Sequence, residues 1–167
     1  MRRLWSPSLR PSRIGALALL AVFGLAAPAS AADQVSFEAE FTVRVLSSTK
    51  VPGGQTLFQQ TVSGKATHLG NFTGTSTRLQ DNKGNFIVDV CFVAANGTDS
   101  LCFTMSGVLA GEKGSCIETS SGTFTITGGT GSFANATGGG TRMAVVDKCA
   151  GVMTITWSGT VSRPNSG

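Results

Sequence analysis

Few residues in this chain have the types and spacing that catalysis requires. His68 is the only histidine, so general acid–base chemistry or a Ser-His-Asp relay would depend on this residue alone. It lies in "KATHLGNFTG", a stretch typical of a turn, and no Gly-x-Ser-x-Gly nucleophile motif occurs in the chain. We therefore treat His68 as a weak catalytic candidate and favour a structural hydrogen-bonding role for it.

Charged residues in or beside the predicted strands form a second group of candidates. Glu38 and Glu40 could act as a carboxylate pair, but two acids on the polar side of an amphipathic strand indicate a solvated face. Other charges could form a pair at the mouth of a barrel, although numbering alone does not decide which of them point inward. They are Arg78, Asp89, Arg142, Asp147 and Lys148, and we keep Arg78, Arg142 and Asp147 beside His68 as weak catalytic candidates.

The glycine-rich segment "GGTGSFANATGGG" raises the question of whether the chain binds a nucleotide. It satisfies the letters of the dinucleotide fingerprint G-x-G-x-x-G/A, which requires a helix after the glycines. Only "SFANAT" separates Gly131 from three further glycines, so no helix fits there. The cysteines contain no C-x-x-C pair, and one histidine does not complete a zinc site. We expect no cofactor and no metal.

The first 31 residues resemble a secretory signal peptide. Arginines precede an apolar run from Ile14 to about Ala27, and small residues lead to a cleavage site after Ala31. This arginine-then-alanine pattern indicates a bacterial protein that is secreted, either periplasmic or extracellular. Four of the thirteen basic residues lie in this leader and all nine acidic residues follow it, so the exported part has no net charge. We expect no nucleic-acid partner and no transmembrane segment after cleavage.

Residues 32–167 show the period-two alternation of β-strands and read as a single domain. Six segments alternate clearly, two weaker ones cover about 55–67 and 72–80, and turn signals separate them. This pattern predicts an all-β fold of about eight antiparallel strands. A closed barrel is favoured over a sandwich, since the immunoglobulin Cys…Trp…Cys spacing is absent. The predicted inward residues include Phe86, Val88, Phe92, Phe103, Met105 and Trp157, and in "TRMAVVD" they are Thr141, Met143 and Val145.

An even number of cysteines in an exported chain predicts two disulfides. A two-residue turn at Asn96-Gly97 would place Phe92 opposite Leu101. The same register places Cys91 opposite Cys102, so hydrophobic matching and cysteine matching agree on a cross-strand bridge. That register makes the cysteines a hydrogen-bonded pair, which is the less comfortable site for a disulfide, so a longer turn is an alternative.

By elimination the second bridge joins Cys116 to Cys149. These cysteines flank the two strands on either side of the glycine segment. Folding those strands about the middle of the segment places Phe124 near Thr141 and brings the two cysteines together. The bridge would then close the base of a hairpin-like unit whose tip is the glycine segment.

The segment "ITGGTGSFANATGGG", together with "ATHLGNFTG" and the "AANG" turn, resembles the strand-loop-strand signature of the dirigent and allene oxide cyclase-like barrel superfamily. It is most similar to exported bacterial members of unassigned activity. The resemblance implies that the glycines bend the backbone and that Phe133 fills the barrel end. The glycines are Gly128, Gly129, Gly131 and Gly138. Members that act as cyclases or coupling guides hold a reactive apolar intermediate in a cavity without a cofactor, but their catalytic residues do not map onto this sequence.

These observations favour a secreted binding or structural module for a small apolar molecule over an enzyme. Seven of the apolar residues would either line a pocket or fill the barrel, because side chains alone nearly fill the lumen of eight strands. They are Phe86, Val88, Phe92, Phe103, Met105, Phe133 and Trp157. One alternative is a cofactor-free isomerase, cyclase or dirigent-like protein, which predicts an enclosed apolar cavity with inward ionisable groups. Another is an envelope or matrix component, which predicts an exposed apolar patch.

Overall fold

The computed structural model describes residues 33–110 and 114–165, so the predicted leader lies outside the described residues. Strands adjacent in sequence pair antiparallel, and the first strand also pairs with the last, which closes the sheet into a barrel. The predicted all-β, closed eight-stranded barrel is confirmed. The strands are β1 (Gln34–Val51), β2 (Gln55–Ala66), β3 (Gly70–Gln80), β4 (Asn85–Ala94), β5 (Ser100–Ala110), β6 (Ile117–Thr130), β7 (Gly138–Asp147) and β8 (Val152–Ser162).

Alternating apolar residues form the strands and direct one face of each into the lumen. In β4, "NFIVDVCFVA", every second side chain from Phe86 to Ala94 is buried, while Ile87 and Asp89 between them face outward. Alternation of this kind fits a sheet with one apolar and one solvated face. Because the barrel is closed, none of the eight described strands is left with an unpaired edge.

One half of the lumen, which we call the aromatic half, is filled by packed rings. Its members contact one another at centroid separations of 3.9 to 6.0 Å, in stacked, tilted and edge-on arrangements. Such packing combines large apolar burial with favourable ring geometry. The aromatic half consists of Phe37, Phe41, Phe72, Phe92, Phe103, Phe124 and Trp157.

The glycine segment forms the corner between β6 and β7 at the aromatic end. A short 3-10 turn, Gly131–Phe133, buries the Phe133 ring in the core. Gly131 has a φ of 58°, and a Cβ there would lie 2.0 Å from Oδ1 of Asp99. That carboxylate accepts the backbone N–H of Ser132 at 2.8 Å, which, together with a hydrogen bond from Asn96, lowers the pKa of Asp99. The carboxylate of Asp99 therefore already accepts a backbone N–H that a phosphate-binding loop would need for its ligand.

The pairing of β6 with β7 differs by one residue from the predicted register. Phe124 lies opposite Gly140, and Thr141 lies opposite Thr123. This shift reverses the faces of β7, because side chains alternate along a strand. Met143 and Val145 are therefore exposed, and the inward residues of β7 are Arg142, Ala144 and Val146.

Both predicted disulfides are present, Cys91–Cys102 and Cys116–Cys149. The predicted pairing of β4 with β5 is also confirmed, with Phe92 opposite Leu101. The turn, however, is longer than the two-residue one. Gly97 N–H bonds to the carbonyl of Ala94, and Asn96 is not in the left-handed conformation that a type I′ turn requires. The Cα atoms of Cys91 and Cys102 are 4.0 Å apart, close to the spacing of a non-hydrogen-bonded pair.

The two disulfides close chain segments of different length, with separations of 11 and 33 residues. Loop-closure entropy predicts stabilisation of about 3 kcal/mol for the shorter loop and about 4 kcal/mol for the longer. We expect a Cys116→Ser/Cys149→Ser variant to lose more stability in urea unfolding than a Cys91→Ser/Cys102→Ser variant. An equal or reversed order would show that loop length does not govern the contribution of these bridges.

Candidate functional site

The half of the lumen opposite the aromatic half, which we call the arginine end, holds two inward arginines. Arg142 is in register with two glycines, since Gly107 pairs with Gly122 and Gly122 pairs with Arg142. A Cβ on Gly107 would lie 2.9 Å from Nη1 of Arg142 and 2.8 Å from the ring of Phe86. Gly107 thus leaves space that the long Arg142 side chain fills, whereas a Cβ on Gly122 would meet the backbone carbonyl of Ser106.

Arg78 reaches the same region from β3. The inward positions of that strand alternate from Phe72 through Ser76 to Arg78. The guanidinium carbon of Arg78 lies 4.1 Å from the ring centroid of Phe58, and that of Arg142 lies 5.1 Å from the centroid of Phe86. Cation–π contacts of this kind compensate part of the cost of burying a charge.

The arginines make few hydrogen bonds within the described residues. Nη1 of Arg142 donates to Oγ of Ser120 at 3.0 Å, and Nη1 of Arg78 donates to Sδ of Met153 at 3.7 Å. Each guanidinium has five N–H donors. In the described part of the chain, Nε of Arg78, Nε of Arg142 and Nε2 of Gln60 are buried without an acceptor, as are Nε1 of Trp157 and the acceptor Oε1 of Gln80.

The charges of Arg78 and Arg142 are not neutralised by an ion pair in the described segments. The ion pairs there are Lys148–Glu118 and Arg163–Asp33. Burial lowers the pKa of Arg78 to about 10, against a smaller opposing effect of Glu118. Burial also lowers the pKa of Arg142 to about 10, and the charge of Arg78 adds to this effect. Both side chains are cationic at neutral pH, although they are only 7% and 3% exposed.

Two spaces that share part of their lining adjoin these arginines. The first, inside the barrel, has a volume of about 20 Å³, enough for a single water. The second, which we call the mouth pocket, has a volume of about 420 Å³ at the rim of the arginine end. Arg78 lines both spaces, while Arg142 lines only the inner one. The apolar wall of the mouth pocket includes Val45, Leu109, Val146, Val152 and Met153.

Three other concavities, of about 460, 480 and 640 Å³, lie on the outside of the barrel. They are formed mainly by outward side chains of neighbouring strands, such as Ile87 and Val108 in one and Glu38 and Glu40 in another. Ile87 and Val108 are about half exposed, so the outer face carries aliphatic as well as polar residues. These outer concavities bring no pair of buried charges together. The arginine end is therefore the better candidate site.

The remaining charged candidates do not share one site. His68 is exposed in the turn between β2 and β3, at the aromatic end, and its Nε2 lies 3.0 Å from the carbonyl oxygen of Ser36. Asp89 faces outward and accepts a hydrogen bond from Thr104. Asp147 and Lys148 line the mouth pocket, where Asp147 accepts the backbone N–H of Ala150. Of the four catalytic candidates, Arg78, Arg142 and Asp147 thus lie at one end and His68 at the other.

The predicted lining or core residues are all buried, but they separate into two groups. Phe86, Val88 and Met105 line the inner cavity at the arginine end. The others, Phe92, Phe103, Phe133 and Trp157, belong to the packing at the aromatic end.

Sequence reasoning missed the neutral polar residues of the site. Gln60, Ser76 and Ser120 are buried, and Oγ of Ser76 donates to Oε1 of Gln60 at 3.3 Å. Strand parity contained the signal, since Gln60 is two residues from the inward Val62, and Ser76 is four from the inward Phe72.

No protein-family model, curated protein or solved structure matches this chain. The fold and the cysteines therefore define its class, a disulfide-bonded, closed, eight-stranded antiparallel β-barrel with two buried arginines at one end. In the described ranges no group of three or more His, Cys, Asp or Glu side chains is arranged to hold a metal ion. Among the same residues, no helix has the length and apolar character to cross a membrane.

The buried arginines yield a prediction about stability. Burial makes the pKa of each guanidinium lower in the folded protein than in the unfolded chain. The buried charge therefore destabilises the fold at every pH below about 10, including neutral pH. We expect Arg142→Met to raise the free energy of unfolding by about 1–3 kcal/mol in urea titrations at pH 7.

The control is Arg44→Met, because Arg44 is exposed on the outer face of β1. Its substitution should change stability by less than about 0.5 kcal/mol. A loss of several kcal/mol in Arg142→Met, as for truncation of a core side chain, would instead assign Arg142 a structural role.

Proposed function

We propose that this protein is an exported binding module that holds a small, largely apolar molecule in the mouth pocket at the arginine end of its barrel. One observation carries the proposal, namely that the two halves of the lumen are built differently. The aromatic half is filled by rings, whereas the arginine end retains a pocket of about 420 Å³ with polar groups at its base. Mostly apolar pockets of about 300–1,000 Å³ with a few polar groups are typical of small-molecule sites.

Export is part of this proposal. Disulfides persist in oxidising compartments, so the two bridges are compatible with an extracellular or periplasmic protein. Cys116–Cys149 lies near the mouth pocket, because Lys148 lines the pocket and its backbone N–H bonds to the carbonyl of Cys116. The bridge thus holds one part of the rim in place.

We also propose that the chain is related to the dirigent and allene oxide cyclase-like barrels. The closed eight-stranded barrel and the position of Phe133 at the β6–β7 corner support this relationship. Binding is nevertheless favoured over cyclase activity, because the inner cavity of about 20 Å³ does not accommodate a polyunsaturated or phenolic intermediate. The ligand is therefore placed in the mouth pocket at the rim and not inside the barrel.

A neutral probe, 1-octanol, tests the proposal by nuclear magnetic resonance titration. We expect chemical-shift changes to concentrate at Leu109, Val146 and Met153 in the mouth pocket. Met153→Trp should abolish them by filling the pocket, whereas Met143→Trp, on the exposed outer face, should leave them unchanged.

Two outcomes would contradict the proposal. Absence of any shift change in the wild-type protein would show that the mouth pocket does not take up apolar molecules. Changes confined to outward residues such as Ile87 and Val108 would favour the surface-component alternative, which the exposed aliphatic side chains of the outer face support.

A further inference from the structure

The inner cavity is surrounded by hydrogen-bond donors that lack acceptors. Nε of Arg78, Nε of Arg142 and Nε2 of Gln60 are buried without a partner in the described part of the chain, and all three residues line this cavity. Oε1 of Gln60 is already used by the hydroxyl of Ser76. A buried donor without an acceptor costs about 1–3 kcal/mol, and more when it is charged. Three such donors around one cavity indicate an occupant that accepts hydrogen bonds.

The charge of the site also favours an anionic occupant. No described carboxylate lies within ion-pair distance of either guanidinium, and Glu118, the acid whose field reaches Arg78, is paired with Lys148. Cation–π contact with Phe58 and Phe86 compensates the buried charges only in part. An anion between the two guanidinium groups would satisfy their donors and their charge together. Guanidinium groups match the planar fork of a carboxylate particularly well.

The surroundings give the remainder of the anion a largely apolar environment. Two acids, Glu118 and Asp147, and two bases, Arg78 and Lys148, line the mouth pocket, so its lining carries no net charge. The same pocket presents aliphatic side chains, including Val45, Leu109 and Val152. Because Arg78 lies between the mouth pocket and the inner cavity, a ligand can place its head against the arginines and its body along this wall.

We propose that the arginine end binds a small amphipathic carboxylate, with one carboxylate oxygen in the water-sized inner cavity beside Arg142, the other oxygen against Arg78, and the apolar body in the mouth pocket. This inference rests on the proposed function and adds the chemical class of the ligand. No bond is made or broken. The arginines act by binding, and Gln60 supplies a neutral donor to the same group.

Calorimetric titration with a matched pair of probes tests the inference. Octanoate and 1-octanol have chains of equal length and differ in the charge of the head group. We expect the wild-type protein to bind octanoate at least about tenfold more tightly than 1-octanol, the ratio that corresponds to about 1.4 kcal/mol from charged hydrogen bonds. Arg142→Met and Arg78→Met should each reduce this preference by about tenfold. Arg142→Met should also leave the affinity for 1-octanol within about twofold, because Arg142 does not line the mouth pocket.

The control variant is Arg44→Met, which removes an outward arginine and should keep the full preference for octanoate. Equal affinity of the wild-type protein for the two probes would overturn the carboxylate site and leave the apolar binding function standing. A preference that survives in both Arg78→Met and Arg142→Met would also overturn it. Failure of both probes to bind the wild-type protein would overturn the proposed function and this inference together.

Discussion

The burial of two guanidinium groups inside a closed barrel is the constraint on which the other features of this molecule depend. Arg78 and Arg142 are almost completely removed from solvent, remain cationic at neutral pH and have no carboxylate partner among the described residues. Removing charges from water costs several kcal/mol unless other groups compensate. The two phenylalanine rings beneath the guanidinium groups, the hydroxyl of Ser120 and the sulfur of Met153 supply part of that compensation.

Other features of the barrel offset the free-energy cost of burying the two guanidinium groups. The aromatic half contributes dense apolar packing, which allows the opposite half to contain polar groups and still fold. Gly107 removes a side chain from the lumen wall where Arg142 passes. The disulfides add covalent constraint on the outer face and near the rim. A lumen that served only stability would be filled by apolar side chains at both ends, so the arginines indicate a function at one end.

Much of this fold follows from the sequence, because period-two alternation and paired cysteines are strong constraints. The strand count, the barrel, both disulfides and the β4–β5 pairing were predictable from residues such as Phe92, Leu101, Cys91 and Cys102. The agreement of hydrophobic and cysteine matching fixed that register even though the assumed turn was too short. Between β6 and β7 the cysteines constrain the register less, because Cys116 and Cys149 lie outside the paired residues, which end at Ile117 and Asp147. A tip of seven residues there contains a 3-10 turn, and its midpoint does not indicate which residues pair.

The predicted β6–β7 register was wrong by one residue, and for this reason the sequence did not show that Arg142 faces the lumen. With Phe124 inward, pairing to Thr141 would direct Met143 into the lumen, whereas the observed pairing to Gly140 directs Arg142 inward. In "TRMAVVD" both alternating sets contain apolar residues, so hydrophobicity alone did not separate them. Arg78 is an even number of residues from the inward Phe72, so the sequence already indicated that it faces the lumen. One inward arginine, however, does not define a site. The convergence of β3 and β7 on one cavity is a property of barrel closure, which no local pattern encodes.

The most direct test of the carboxylate site is a crystal structure of the protein grown with octanoate. We expect the carboxylate oxygens to lie within about 3.2 Å of nitrogens on both Arg78 and Arg142, with the alkyl chain against Leu109 and Met153 in the mouth pocket. A structure in which the guanidinium groups face away from the ligand, or in which octanoate lies with its carboxylate outward, would contradict it.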